Sequence, residues 1–282
     1  MKNVVEVSGL TKSYGEFQAV KGLSLTIVKG EIFAILGPNG AGKTTTVEIL
    51  EGFRSADSGS ISVLDTDPAI KGEAARIWRD RIGIVLQHTQ DTAELTVREA
   101  ITHFARYYSS PRDPEEVIAL VGLQEKAGDR ARTLSGGQRR RLDVALGIIN
   151  QPELLFLDEP TTGFDPEARR AFWELIKTLR DEGTTIILTT HYLEEAEVLA
   201  DRVAVLSGGE IIEVSTPALL GGRDKAGARV TWRENNQLHT TETQTPSQLI
   251  AEISSRLGGE IPELSVTRPT LEDIYLAMIG DK

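Results

Sequence analysis

The chain has 282 residues, 40% hydrophobic and 26% charged, with no cysteine and a formal net charge of −11. That length suits one large domain plus a small appendage. The charge argues against nucleic acid or anionic lipid as partners, and the missing cysteines exclude disulfides, thiolate metal sites and a cysteine nucleophile. No apolar run approaches the roughly 18–20 residues of a membrane span, and the N-terminus lacks a charged-then-apolar leader. The composition fits an intracellular protein whose work at a membrane would need a partner.

In chain order, strand-like runs are expected at Val4–Val7, Phe17–Val20, Leu23–Ile27 and Ile32–Leu36. The last is continuously apolar, as in a strand buried on both faces. It leads into Gly37–Thr45 and a helix from Lys43 to about Leu50. Further strands are expected at Ile61–Leu64, Ile82–Leu86, Leu154–Leu157, Thr185–Thr189 and Val203–Leu206, with helical patterns between several of them. This implies a mainly parallel α/β core. From about 92 to 150 the pattern is helical and reads as an insertion, opened by a capping box at Thr96 and Glu99. Near Gly221–Gly227 the composition becomes linker-like. Two polar strands follow, Arg229–Arg233 and Gln237–Thr243, then a helix capped by Thr245 with Gln248 at its third position, running to Leu257, and a last helix starting at Thr270. The expected division is 1–220 for the core and 221–282 for an α+β appendage.

Three segments carry chemistry. Gly37, Pro38, Asn39, Gly40, Ala41, Gly42, Lys43 and Thr44, followed by Thr45, match the P-loop pattern between a strand and a helix. Glycines let backbone N–H groups ring the phosphates, the helix start adds its unpaired donors, Lys43 can reach the β- and γ-phosphates, and the Thr44 hydroxyl can bind Mg²⁺. The strand Leu154–Leu157 ends in Asp158 and Glu159, at the edge where open α/β sheets bind ligands. Asp158 is placed to hold Mg²⁺ through water, and Glu159 is a candidate base for an attacking water. Ser135, Gly136, Gly137 and Gln138 form a capped helix start and a second anion-suited end.

The order Leu134-Ser-Gly-Gly-Gln138, then a strand ending Asp158-Glu159-Pro160, resembles the ABC ATPase family. The resemblance covers about residues 3–220 and implies a P-loop NTPase core with an antiparallel β subdomain and a helical insertion. It also implies that Ser135–Gln138 grips the γ-phosphate of ATP held by a second copy, that Gln87 senses Mg²⁺ and transmits to a membrane subunit, and that Asp165 lies in the loop crossing the dimer interface. His191 matches the switch histidine on the γ-phosphate, and Tyr14 the aromatic that stacks on adenine. The family more often has Leu where Phe164 stands.

Glu94–Glu99, Gly136–Asp143 and Arg268–Leu276 further resemble the daunorubicin-resistance type of exporter ATPase. That type implies ATP hydrolysis with ATP and Mg²⁺, a separate transmembrane permease, a homodimer or related ATPase partner, and a peripheral place on the cytoplasmic face of the membrane. The rival readings are a soluble ABC ATPase acting on ribosomes or DNA, and an importer motor.

Overall fold

The computed structural model describes residues 2–85 and 94–280. It divides into two compact units, residues 1–214 and 215–282.

In the first unit, β1 (Asn3–Tyr14) and β2 (Phe17–Val28) form a long antiparallel hairpin, beyond which lie β3 (Ile32–Leu36), α1 (Lys43–Leu50) and β4 (Ser58–Val63). The order β2-β1-β4 makes a small antiparallel sheet. Then come α2 (Glu73–Arg79), β5 (Ile82–Val85), the helices α3 (Val97–Ala105), α4 (Pro114–Leu120) and α5 (Gly136–Ile148), and β6 (Leu154–Asp158). The unit closes with α6 (Pro166–Asp181), β7 (Thr185–Thr190), α7 (Leu193–Leu199), β8 (Arg202–Ser207) and β9 (Glu210–Ser215). The larger sheet runs β5-β6-β7-β3-β8-β9, and its five strands from β5 to β8 are parallel. Every residue of β3 is buried, because strands flank it and the layers above and below exclude water.

Parallel pairing brings the carboxyl ends of β3, β6 and β7 together, with Asp158 opposite Thr189 and Leu36 opposite Thr190. The phosphate loop, Glu159 and His191 follow these ends, whereas Ser135–Gln138 opens α5 ahead of β6. Between β5 and β6 the helical expectation holds, and α3 opens on the Thr96–Glu99 capping box. Asp165 caps α6, and the apolar stripe Phe172, Trp173, Leu175, Ile176 and Leu179 buries that helix on the core.

Some local features depart from the sequence reading. Strand β1 extends to Tyr14 although Ser8–Tyr14 is polar; bulges let it keep pairing with β2 and β4. Strand β9 went unrecognised, yet its signal is the Gly208-Gly209 turn, both residues at positive φ, which folds it back beside β8.

In the second unit, β10 (Ala228–Glu234) pairs with β11 (Gln237–Thr243), and α8 (Pro246–Leu257), β12 (Ser265–Thr267) and α9 (Leu271–Gly280) follow. The sheet order is β11-β10-β12, and Val230, Trp232, Ile253 and Ile261 form its core. The boundary lies after Val214, six residues before the expected 220/221 division, because the turn at Leu220–Lys225 packs with α9: a Cβ on Gly221 would stand 2.4 Å from Ile274 Cγ2. The expected side-chain cap at Thr245 is not made, since that residue has φ −122° and ψ 63°. Gln248 instead bonds Glu252 at 3.4 Å. The cap at Thr270 does form, with Asp273 completing a reciprocal box.

Candidate nucleotide site

Strand β3 drops its chain into the loop Gly37–Gly42 at the sheet's carboxyl edge. Two glycines there are dictated by space. A Cβ on Gly37 would lie 2.6 Å from the Leu206 carbonyl oxygen, and one on Gly42 would lie 2.5 Å from that of Ala19. Gly42 also stands at φ 100° as the N-cap of α1, a conformation that side chains resist, and it offers no capping side chain. The helix start is therefore left with its backbone donors unmet by a side chain, the arrangement that binds an anion.

Lys43, the first residue of α1, is buried, and its Nζ donates to the carbonyls of Gly37 at 2.8 Å and Pro38 at 3.2 Å. Burial lowers its pKa, opposed by the charges of Glu159 and Asp158. The ammonium thus bends back onto its own loop while facing two carboxylates across the cleft.

Those carboxylates end β6. Asp158 accepts a hydrogen bond from the Thr189 hydroxyl on β7. The buried Arg140 of α5 donates to the carbonyls of Asp158 at 2.8 Å and Pro160 at 3.0 Å, which holds the turn beyond the strand. Glu159 has φ 43°, an uncommon conformation for a residue with a side chain, and its N–H donates to the Thr189 carbonyl at 3.1 Å. This places the Glu159 side chain toward β7, where its Oε1 lies 3.2 Å from His191 Nδ1. A carboxylate paired with an imidazole beside a phosphate-suited loop can hold and pass a proton.

An open cleft of about 200 Å³ runs along this edge. It is lined by Asn39, Gly40, Gly42, Lys43, Thr44 and Thr45 of the loop and the start of α1, by Glu159, and by Tyr14, Phe17 and Ala19 of the β1–β2 hairpin. Tyr14 is therefore brought to the same cleft as the loop. No residue of Ser135–Gln138 lines it. That segment starts α5 elsewhere on the unit, with Gln138 N–H donating to Ser135 Oγ at 3.3 Å and Ser135 N–H donating to Gln138 Oε1 at 3.0 Å. Asp165 also stays outside the lining; its carboxylate accepts from Ala168 N–H at 2.8 Å. The starts of α5 and α6 are neighbours, as a Cβ on Gly137 would lie 3.3 Å from that of Ala168. Gln87 lies outside the described residues.

Sequence reasoning missed Phe17 and Ala19 as lining residues, and Thr189 and Arg140 as supports. Phe17 left a signal, an aromatic three residues from Tyr14 across a tight turn. Arg140 left a weaker one, its place in the run Arg139–Arg141 directly after Ser135–Gln138.

A phosphate loop between a buried strand and an uncapped helix, facing two carboxylates at the end of a neighbouring strand, defines a P-loop nucleoside triphosphatase. Residues 20–162 match the ABC transporter family. The chain belongs to that family, as an ATP-binding and ATP-hydrolysing subunit. Among curated relatives, it is similar to Nod factor export ATP-binding protein I of Bradyrhizobium diazoefficiens, 45% identical over 98% of this chain and 96% of the relative. It is also similar to daunorubicin resistance ATP-binding protein DrrA3 of Streptomyces coeruleorubidus, 35% identical over 98% of this chain and 96% of the relative. Among solved structures, a dimeric post-hydrolysis state of the ATP-binding cassette MJ0796 bound to ADP and Pi superposes with a TM-score of 0.68 at 25% identity, covering 75% of this chain and 98% of that one.

Proposed function

We propose that this subunit drives export through a separate membrane-embedded permease, using ATP held between two copies of its cassette. The reading is carried by the cleft itself: Lys43 and Glu159 line it, Asp158 and Glu159 act on the Lys43 charge and His191 pairs with Glu159, while no residue of Ser135–Gln138 is in the lining. A helix start suited to an anion but outside the lining of its own chain's cleft is suited to completing a neighbour's site. Two copies related by a two-fold axis satisfy both ends at once. The dimeric cassette with ADP and Pi supports this arrangement by analogy.

In this reading the N–H groups of the Gly37–Thr45 segment and Lys43 hold the triphosphate. Glu159 accepts the proton of the attacking water, and the His191 contact at 3.2 Å orients its carboxylate. His191 also contacts the γ-phosphate. Tyr14 stacks on the base, Asp165 lies at the dimer interface, and Gln87 with the region up to Arg98 passes the motion to the permease. Hydrolysis then releases the contact that bridges the two halves.

The residues also fit Mg²⁺. Among the described residues no cluster of three or more His, Asp or Glu could hold a metal, so those residues offer few donors. Mg²⁺ suits that, since it keeps waters and phosphate oxygens and takes one or two hard protein oxygens. The Thr44 hydroxyl and the Asp158 carboxylate, with Gln87, would hold it. When bound, it neutralises charge on the β- and γ-phosphates.

Export is supported by the names of the relatives, which concern Nod factor export and daunorubicin resistance. The need for a permease is supported by the described residues, among which no helix is long and apolar enough to cross a membrane. Such a subunit would sit peripherally on the cytoplasmic face.

The test is Glu159→Gln. Turnover should fall by roughly 10²–10⁴-fold while ATP still binds and the dimer persists. Hydrolysis at the wild-type rate would sink the base assignment. For the partner, membrane extraction should recover the subunit with an integral membrane protein; recovery only as free protein or on ribosomes would refute the transporter reading.

A further inference from the structure

Next to the Glu159–His191 pair lies a buried polar cluster that the reaction as described does not use. Glu195, in the first turn of α7, is fully enclosed. So are Thr161, just beyond the Glu159-Pro160 turn, and Thr190, the last residue of β7 and the one before His191. Trp173 of α6 is nearly as buried, and its Nε1 donates to Glu195 Oε1 at 3.4 Å. Burial pushes the Glu195 pKa up; the Thr190 and Thr161 hydroxyls, the Trp173 indole and the Arg169 charge act the other way. One carboxyl therefore stands against both segments that carry the hydrolytic pair.

The two segments are held differently. On the β7 side, Thr190 Oγ1 accepts from Tyr192 N–H at 3.0 Å, and Glu195 N–H donates to the Tyr192 carbonyl at 3.1 Å. On the β6 side, Arg140 fixes the carbonyls of Asp158 and Pro160. The next residue, Thr161, keeps its hydroxyl buried with no hydrogen-bond partner among the described residues, and Glu195 Oε2 is in the same condition. A donor and an acceptor shut away from water and left unbonded lose their hydration and regain nothing. Buried polar groups are nearly always paired, so this adjoining pair points to a second arrangement in which the two atoms meet.

We propose that Thr161 and Glu195 are positioning residues for hydrolysis: in the state that turns over ATP, the Thr161 hydroxyl donates to Glu195 Oε2 and locks the turn bearing Glu159 to the helix that follows His191. This rests on Glu159 and His191 forming the hydrolytic centre. Glu195 is already joined to α6 through Trp173 and to the His191 side through the first turn of α7. Closing one hydroxyl–carboxyl contact therefore fixes the two segments relative to each other, without either residue touching the nucleotide. The Glu159 carboxylate then keeps its 3.2 Å contact with His191 as the attacking water gives up its proton. Small displacements of such a pair are costly in rate, because the reacting groups must be held in alignment.

The decisive variant is Thr161→Val, nearly the same shape without the hydroxyl. Because that hydroxyl is unbonded here, a purely structural role predicts full activity and an unfolding midpoint at or above that of the wild type. The lock predicts an equally high midpoint, kcat lower by roughly tenfold, and an equilibrium affinity for ATP within about twofold of wild type. Glu195→Leu, which fills the space without a polar group, should lose at least as much turnover. Glu195→Gln keeps a hydrogen-bonding group for Thr161 and should restore most of it. Adding Thr161→Val to Glu195→Leu should cost nothing further, since both residues act through one contact. Wild-type turnover in Thr161→Val overturns the lock, as does a multiplied loss in the double variant. Should Glu195→Leu not fold, Thr161→Val decides alone. Wild-type turnover in Glu159→Gln would instead overturn the hydrolytic centre; a slow Glu159→Gln beside a fully active Thr161→Val removes the lock and leaves the centre standing.

Discussion

Helices α1 and α5 both have a glycine in their opening, Gly42 as the N-cap of one and Gly136 as the first residue of the other, yet their first turns are finished differently. At α1 the N-cap is Gly42, in the left-handed region, and no side chain meets the first N–H groups. At α5 the N-cap is Ser135, and it exchanges hydrogen bonds with Gln138. A glycine N-cap costs only about a few tenths of a kcal/mol against a capping side chain, which an anion at the helix start can offset. In the proposed reading, α1 is finished by its ligand, while α5 is capped by its own side chains and offers the Gly136 and Gly137 N–H groups to a neighbour's nucleotide. The difference teaches which end binds tightly alone and which only completes a site. In the proposed dimer, the first holds nucleotide in the single subunit and the second acts on assembly.

The contrast can be broken from either side. The largest effect is expected from Lys43→Ala, which removes the cation at the ligand-finished end. ATP affinity should fall by roughly a hundredfold, given the strength of charge-assisted hydrogen bonds. Undiminished affinity by titration would show that the loop does not hold phosphate.

Gly136→Asp addresses the other end. A Cβ there meets nothing within 4 Å, so the fold should accept it, and an acid in a first turn suits the helix dipole. ATP binding to the single subunit should be unchanged. ATPase activity should fall by roughly thirtyfold, through repulsion of the neighbour's phosphate. Wild-type activity would remove Ser135–Gln138 from the reaction.

A third variant probes the far end of α1. Glu51, its C-cap, is buried, and its pKa is pushed up from 4.5 to about 8 by burial first and then by the charges of Asp158 and Glu48. The folded chain keeps that proton at neutral pH, whereas the unfolded chain releases it near 4.5. Stability from this group is therefore full below about pH 4.5 and is lost as pH rises toward 8. Glu51→Gln should flatten this decline and raise stability at pH 8 by on the order of 2 kcal/mol. Denaturant unfolding across that range checks it; a parallel pH slope in both proteins would contradict the buried proton.

The smallest effect is expected from Ser135→Ala. Losing the cap should lower stability by about 1 kcal/mol. The corresponding drop in unfolding midpoint should appear with or without ATP in the single subunit. A loss seen only with ATP bound would mean that α5 is ligand-finished too.

Much of this was legible before folding was considered. The phosphate loop, the Asp158-Glu159 strand end and the Ser135–Gln138 cap are local patterns whose geometry follows from neighbouring residues, and each stands where its motif requires. Phe17 and Thr189 escaped notice because each gains its role from a partner across the sheet: Tyr14 for one, Asp158 for the other. The polar half of β1 is a strand because it pairs, rather than through apolar alternation, whereas β9, with Ile211 and Val214 packed on the core, did carry an apolar signal.

Sequence alone determined the kind of chemistry, because glycine spacing, a lysine and paired acids state their own local needs. Only the tertiary structure decided who meets whom. Parallel pairing of β6 and β7 brings Glu159 to His191, and hairpin register sets Tyr14 opposite Phe17. Registers of this kind depend on contacts between residues far apart in the chain, where the energy of burying whole faces, rather than any local preference, selects the partner.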